Sequence, residues 1–126
     1  MSVTARNSTQ LSKPVGPFSH TAAIQGLMFL SGQIAQDPTT GKLIEGDVSA
    51  QAKQILSNIG VLLKEFDLSF KDVAKVNVYL TSMKDFAAMN EVYAATFSAP
   101  YPARTTVAVA ELPLGARIEF EMTVRK

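Results

Sequence analysis

Apolar residues recur at Val48, Ala52, Ile55, Leu56, Ile59, Leu62, Leu63 and Phe66, the three-and-four spacing of a helix with one buried face. The stripe predicts a helix over about residues 48 to 66, with Asp47 as its N-cap and Gln51, Lys53, Gln54, Asn58 and Lys64 turned mostly outward. Gly60 costs roughly 1 kcal/mol against alanine inside a helix, so it reads as a close-packing position. Phe86, Met89, Asn90, Tyr93, Ala94 and Phe97 repeat at the same spacing until Pro100 and Pro102 stop a second helix. Ser82-Met83-Lys84-Asp85 before it resembles a capping box.

Period-two stretches predict the strands. Ala74, Val76, Val78 and Leu80 alternate with Lys75, Asn77, Tyr79 and Thr81. Ala116, Ile118, Phe120, Met122 and Val124 share one face of a terminal strand, opposite Arg117, Glu119, Glu121, Thr123 and Arg125. Arg104 to Ala110 reads as a further strand, before a Leu112-Pro113-Leu114-Gly115 turn. Thr21 to Ile24 and Leu27 to Ser31 flank Gln25-Gly26 as a hairpin with glycine at positive φ. Residues 1–20 are the least patterned, and Lys13-Pro14-Val15-Gly16-Pro17 reads as an extended loop.

The order strands, helix, strand, helix, two strands predicts an α+β fold: a mixed sheet with both helices on one face. Apolar residues nevertheless fall on both faces, with Val107 and Val109 on one side and Ala108 and Ala110 on the other. One cover is supplied by the chain; the second is expected from another subunit.

Composition narrows the chemistry. The 126 residues suit a single domain, 1–126. Twelve Lys and Arg against 11 Asp and Glu leave a net charge of +1, without the basic excess of a nucleic-acid binder. No run approaches the roughly 18 apolar residues of a membrane span, and no signal-peptide pattern opens the chain. The absence of cysteine removes thiolate nucleophiles and thiolate zinc sites, and one histidine builds no His-rich metal centre. A cytoplasmic domain poor in cofactors is expected.

Taken singly, the polar residues say little. Arg104 begins a strand after a proline-bounded loop, a common binding position, yet such arginines are ordinarily solvated or surface-paired. Glu119 and Glu121, with Cα atoms about 6–7 Å apart on one strand face, suit acid–base work or a wet outer stripe with Arg117 and Arg125. His20 reads as a polar loop residue, and Ser31-Gly32 as a bulge or turn closing a strand. The aromatic and Met residues at helical spacing read as core. No P-loop, dinucleotide fingerprint or metal-spaced cluster occurs.

Taken together, the motifs resemble the reactive intermediate deaminase family, also called RidA or YjgF, from about Lys13 to Val124. The matching stretches are Pro14-Val15-Gly16-Pro17-Phe18-Ser19, Leu30-Ser31-Gly32-Gln33-Ile34, Val76-Asn77-Val78-Tyr79-Leu80-Thr81 and Asn90-Glu91-Val92-Tyr93. Pro102-Ala103-Arg104-Thr105-Thr106-Val107 and Leu112-Pro113 through Ile118-Glu119-Phe120-Glu121 complete the set.

The resemblance implies chorismate-mutase-like subunits with a mixed six-stranded sheet. It also implies a homotrimer whose sheets pack together, with clefts between subunits for small carboxylates. The implied reaction is hydrolysis of 2-imino acids and their enamine tautomers to 2-oxo acids and ammonia, without metal or cofactor. Such intermediates leak from pyridoxal-phosphate dehydratases acting on serine or threonine. By the same resemblance Arg104 grips the substrate carboxylate and Glu119 orients water and passes protons. Gly32 and Thr106 line the pocket with backbone groups, and Ser31 and Asn90 are further polar contacts. Phe18 stands where many members carry tyrosine, and Thr106 where many bacterial members carry cysteine. A non-catalytic 2-oxo acid-binding role for the same cleft is the alternative. Ribonuclease activity, attributed to some relatives, fits poorly with the near-neutral charge.

Overall fold

The hairpin and helix signals fold into a single six-stranded sheet backed by two helices; the computed structural model describes residues 2–126. In chain order come β1 (Thr4–Arg6), β2 (Thr21–Ile24), β3 (Leu27–Gln33), α1 (Val48–Glu65), β4 (Val73–Leu80), α2 (Phe86–Thr96), β5 (Ala103–Ala108) and β6 (Ile118–Arg125). The spatial order is β1-β2-β3-β6-β4-β5. The β4 and β5 strands run parallel, as a helical crossover requires, and every other neighbouring pair is antiparallel. Thus β6 sits between β3 and β4, and the mixed α+β fold is as expected.

Both helices cover one face. Met28, Leu30, Val76, Val78, Leu80, Ile118, Phe120, Met122 and Val124 point into a core shared with Ile55, Ile59, Leu62, Leu63 and Met89. Asp47 caps α1 by accepting from the Ala50 backbone N–H, as predicted. The opposite face has no helix, and it presents Leu27, Phe29 and Val107, each more than two-fifths exposed.

Several expectations are corrected. The first twenty residues contain β1, which pairs with β2 as an edge strand. His20 is only 4% exposed and is no surface loop residue. Its Nδ1 accepts from the Ser8 backbone N–H at 2.9 Å, and its Nε2 donates to the Ser12 carbonyl at 3.0 Å. The single histidine therefore staples the N-terminal segment by satisfying two backbone groups that burial would strand.

Gln51 and Asn58 are buried, not outward. Gln51 Oε1 accepts from the Arg117 backbone N–H, and Asn58 Nδ2 donates to the Gln36 carbonyl. In β4 a register shift between Val73 and Lys75 turns Val73 inward and leaves Ala74 exposed. Ser82 caps a short 3-10 turn, Met83–Asp85, rather than α2 itself, whereas the reciprocal box lies at Ser69 and Asp72. At Gly60 a Cβ would stand 3.6 Å from the Phe70 ring, an ordinary contact, so close packing does not require glycine there. The last two strands are also shorter than predicted: β5 stops at Ala108, and the 3-10 turn Pro113–Gly115 precedes β6.

The Gln25-Gly26 turn holds both residues at positive φ (44° and 81°), the primed geometry that matches strand twist. Beyond it, β3 runs on to Gln33, and its register against β6 shifts between Leu30 and Gln33. Ser31-Gly32 therefore marks a bulge, as its sequence indicated.

Candidate active site

Strand pairing sorts the nominated residues into two groups. In the parallel β4–β5 ladder Arg104 lies opposite Val76 and Thr106 opposite Val78, so both side chains project from the helix-covered face. In the β4–β6 ladder Glu119 lies opposite Tyr79 and Glu121 opposite Asn77, which puts the carboxylates on the open face. Arg104 and Glu119 of one chain are therefore on opposite sides of the sheet.

Arg104 is half-buried at the edge of α2. Its Nη1 donates to Asn90 Oδ1 at 2.8 Å, and its Cζ lies 4.7 Å from the Tyr93 ring centroid and 5.6 Å from that of Phe86. This arginine is neither freely solvated nor ion-paired; a carboxamide and an aromatic face hold it. Asn90, Tyr93, Tyr101, Pro102 and Arg104 border a recess of about 380 Å³. Asn90 is thus occupied with Arg104 itself. Thr106 Oγ1 is buried nearby on the same strand face and has no hydrogen-bond partner.

Helical spacing marks Tyr93 only as core, and Tyr101, between two prolines, carries no periodic signal at all. Their place beside the guanidinium emerges only from the packing of α2 against β5.

On the open face Glu119 is half-buried beside the bulge of β3. A Cβ at Gly32 would fall 2.3 Å from Glu119 Oε2 and 2.8 Å from its Cδ. Only a residue without a side chain admits this approach. Burial first, and the charge of Glu121 second, push the Glu119 carboxyl above its ordinary range. Glu121 Oε1 accepts from Tyr79 Oη at 2.7 Å and from Asn77 Nδ2 at 3.0 Å. The hydrogen bond to Glu121 pushes the Tyr79 phenol up to about 12.

The neighbouring arginines pair elsewhere, Arg117 with Asp85 at 3.1 Å and Arg125 with Asp72 at 2.6 Å. Ser31 Oγ donates to the Ser19 carbonyl at 2.6 Å, tying the bulge to the loop that carries Phe18. Phe18 is about half exposed and shares a small recess of about 40 Å³ with His20, Gly32 and Gln33.

Phe18, Ser31, Gly32 and Glu119 therefore gather at one end of the bulge, while Asn90, Arg104 and Thr106 gather across the sheet. A larger recess, about 520 Å³, lies elsewhere, between Phe70, Phe97 and Pro100, and includes none of these residues. Among the described residues no group of three or more His, Asp or Glu could hold a metal ion, and no helix is long and apolar enough to cross a membrane.

The sequence profile of the family described as Endoribonuclease L-PSP matches residues 9–126. A RutC family protein of Pyrococcus horikoshii is 45% identical over 114 residues, 90% of each chain. The human protein named 2-iminobutanoate/2-iminopropanoate deaminase is 41% identical over 107 residues, covering 85% of this chain and 78% of that protein. The crystal structure of RidA from an Antarctic Psychrobacter superposes with a TM-score of 0.92 at 38% identity, over 98% of this chain and 99% of that one. Sequence motifs, sheet order and these likenesses agree, and the chain belongs to the reactive intermediate deaminase (RidA/YjgF) family.

Proposed function

We propose that this protein hydrolyses reactive 2-imino acids, such as 2-iminobutanoate and 2-iminopropanoate, to 2-oxo acids and ammonium. The observation that carries the reading is that the chain presents two groups, one on each face of its sheet. A guanidinium is fixed at the wall of a recess, and a desolvated carboxylate has its proton affinity raised. The named activity of the human relative supplies the substrate class.

The chemistry asks little of the protein. An iminium carbon is already electrophilic, so water suffices as nucleophile once substrate and water are placed. Arg104 grips the substrate carboxylate through its planar fork. Glu119 takes a proton from water as the C–O bond forms and returns it to nitrogen in the carbinolamine. As the C–N bond breaks, Glu119 takes the carbinolamine hydroxyl proton and passes it to the departing ammonia, so that iminium and water become carbonyl and ammonium in balance. Backbone groups of Gly32 and Thr106 line the reacting centre, and Ser31 and Phe18 bound it. No metal or cofactor takes part in this scheme, and the setting is cytoplasmic.

Because Arg104 and Glu119 project from opposite faces of their own sheet, a site using both draws them from two chains. A homotrimer with sheets packed together, as in the family resemblance, meets this requirement and covers Leu27, Phe29 and Val107.

Imine generated in situ by a threonine dehydratase tests the activity: its loss accelerates with this protein and not with Arg104→Ala or Glu119→Gln. Co-refolding those two inactive variants tests the shared site. Random mixing restores about a quarter of wild-type turnover, because one site in four then carries both native residues. Absence of any recovery, with mixed oligomers present, refutes the two-chain site. The alternative is a non-catalytic 2-oxo acid-binding protein, in which Arg104 binds 2-oxobutanoate and no imine is consumed faster.

A further inference from the structure

The aromatic core of the α2 face has a feature that deamination alone does not explain. Tyr93 is 5% exposed and stacks on Phe97, with centroids 4.4 Å apart and rings inclined by 29°. Phe97 meets Phe70 edge-on at 5.3 Å. The three rings form a clamped column whose last face, that of Tyr93, lies beneath the Arg104 guanidinium. Nothing in this column can turn without disturbing its neighbours.

A guanidinium on a flexible stem otherwise loses side-chain freedom each time it binds an anion. Here the guanidinium carbon lies 4.7 Å from the Tyr93 centroid, nearer than the 5.6 Å to Phe86, and Asn90 Oδ1 accepts from Nη1. Other donors of the five-donor fork stay uncommitted. The Tyr93 hydroxyl is buried and has no partner, so the ring, not the hydroxyl, is the part in use. Burial pushes its phenol above the ordinary range against the opposing pull of Arg104, and the ring is neutral at physiological pH.

We propose that Tyr93 is a positioning residue. Its clamped ring is the platform that holds Arg104 in the plane from which the fork receives a carboxylate. This inference rests on the reading of Arg104 as the carboxylate grip. It adds a residue that acts on affinity only through that arginine.

The test measures 2-oxobutanoate affinity, by calorimetry and at millimolar ligand by NMR titration, in the intact oligomer. The variants are Tyr93→Phe, Tyr93→Leu, Tyr93→Met, Arg104→Ala and the double variant Tyr93→Leu/Arg104→Ala. Tyr93→Phe keeps the platform and stays within about twofold of wild type, whereas Tyr93→Leu weakens binding by about 5- to 30-fold. Tyr93→Met fills the same space without a ring and weakens binding likewise, so that one variant remains informative if the other fails to fold. In the Arg104→Ala background the loss of the ring costs nothing more, since the group it positions is gone.

The inference is overturned if both ringless variants bind as wild type does, or if Tyr93→Phe falls as far as they do. It is also overturned if the ring costs as much in the Arg104→Ala background as in the native one. Full-strength binding by Arg104→Ala alone overturns instead the carboxylate-grip reading on which it rests.

Discussion

Gly32 and Glu119 approach so closely across β3 and β6 that a methyl group at residue 32 would stand 2.3 Å from Oε2. The obstructed atoms belong to the end of a flexible side chain, so the backbone can stay while the carboxylate swings away. Gly32→Ala is therefore expected to keep its melting temperature within a few degrees and to lose turnover by about 100-fold, the scale of a 1 Å misplacement. Parallel melting curves and imine-hydrolysis rates check this; equal turnover would remove Glu119 from the reaction.

Glu121 contributes to the raised proton affinity of Glu119 by charge, after burial. In Glu121→Gln that contribution vanishes, while a side-chain oxygen remains to accept from Tyr79. The acid limb of kcat/KM, which reports ionisation of Glu119 as base, then moves to lower pH. A limb that stays in place would assign it to another group.

The same shift has a stability sign. The folded state holds the Glu119 proton more tightly than the unfolded chain does, so stability falls as pH rises from the ordinary carboxylate value through the raised one. Glu119→Gln removes this dependence. It is expected to be more stable than wild type above that window, with the difference closing below it. Denaturation midpoints from about pH 3, below the ordinary carboxylate value, to about pH 8 measure it.

His20→Ala leaves the Ser8 N–H and the Ser12 carbonyl without their partner in a buried setting. A cost of about 1–3 kcal/mol is expected. Hydrogen exchange localises the effect to residues 4–12, because the imidazole joins that segment to the start of β2. Uniform loss of protection over the whole chain would contradict the staple.

Gly60 offers the opposite case. Alanine places its Cβ in ordinary contact with Phe70, so the helix gains propensity without a clash. Gly60→Ala is expected to raise unfolding stability by up to about 1 kcal/mol in urea titration. A loss would show that the α1–Phe70 contact is tighter than its spacing indicates.

The helices and most strands were legible because one-sided burial imposes a period of 3.6 or 2. Where parity changes, the pattern misleads: the shift between Val73 and Lys75 exposed Ala74, which alternation alone had placed inside. Polar residues fared worse for a related reason. Gln51, Asn58 and His20 look like surface groups, yet each is buried because a backbone N–H or carbonyl from a distant segment needed it. Such needs arise from tertiary contact and leave no trace in spacing.

The family motifs nominated Arg104 and Glu119, but carried no sign that they leave the sheet on opposite sides. That follows from register, since Arg104 pairs with an inward valine and Glu119 with an outward tyrosine.

The placement of β6 has a bearing on folding. Of the six strands, the last in chain order is the one that must slot into the middle. Until residues 118–125 dock, the β1-β2-β3 ribbon and the β4-β5 pair remain separate half-sheets, each with an edge of unpaired backbone N–H and C=O groups. A chain in which β6 has not docked is an open template for aggregation, and insertion of those eight residues closes it.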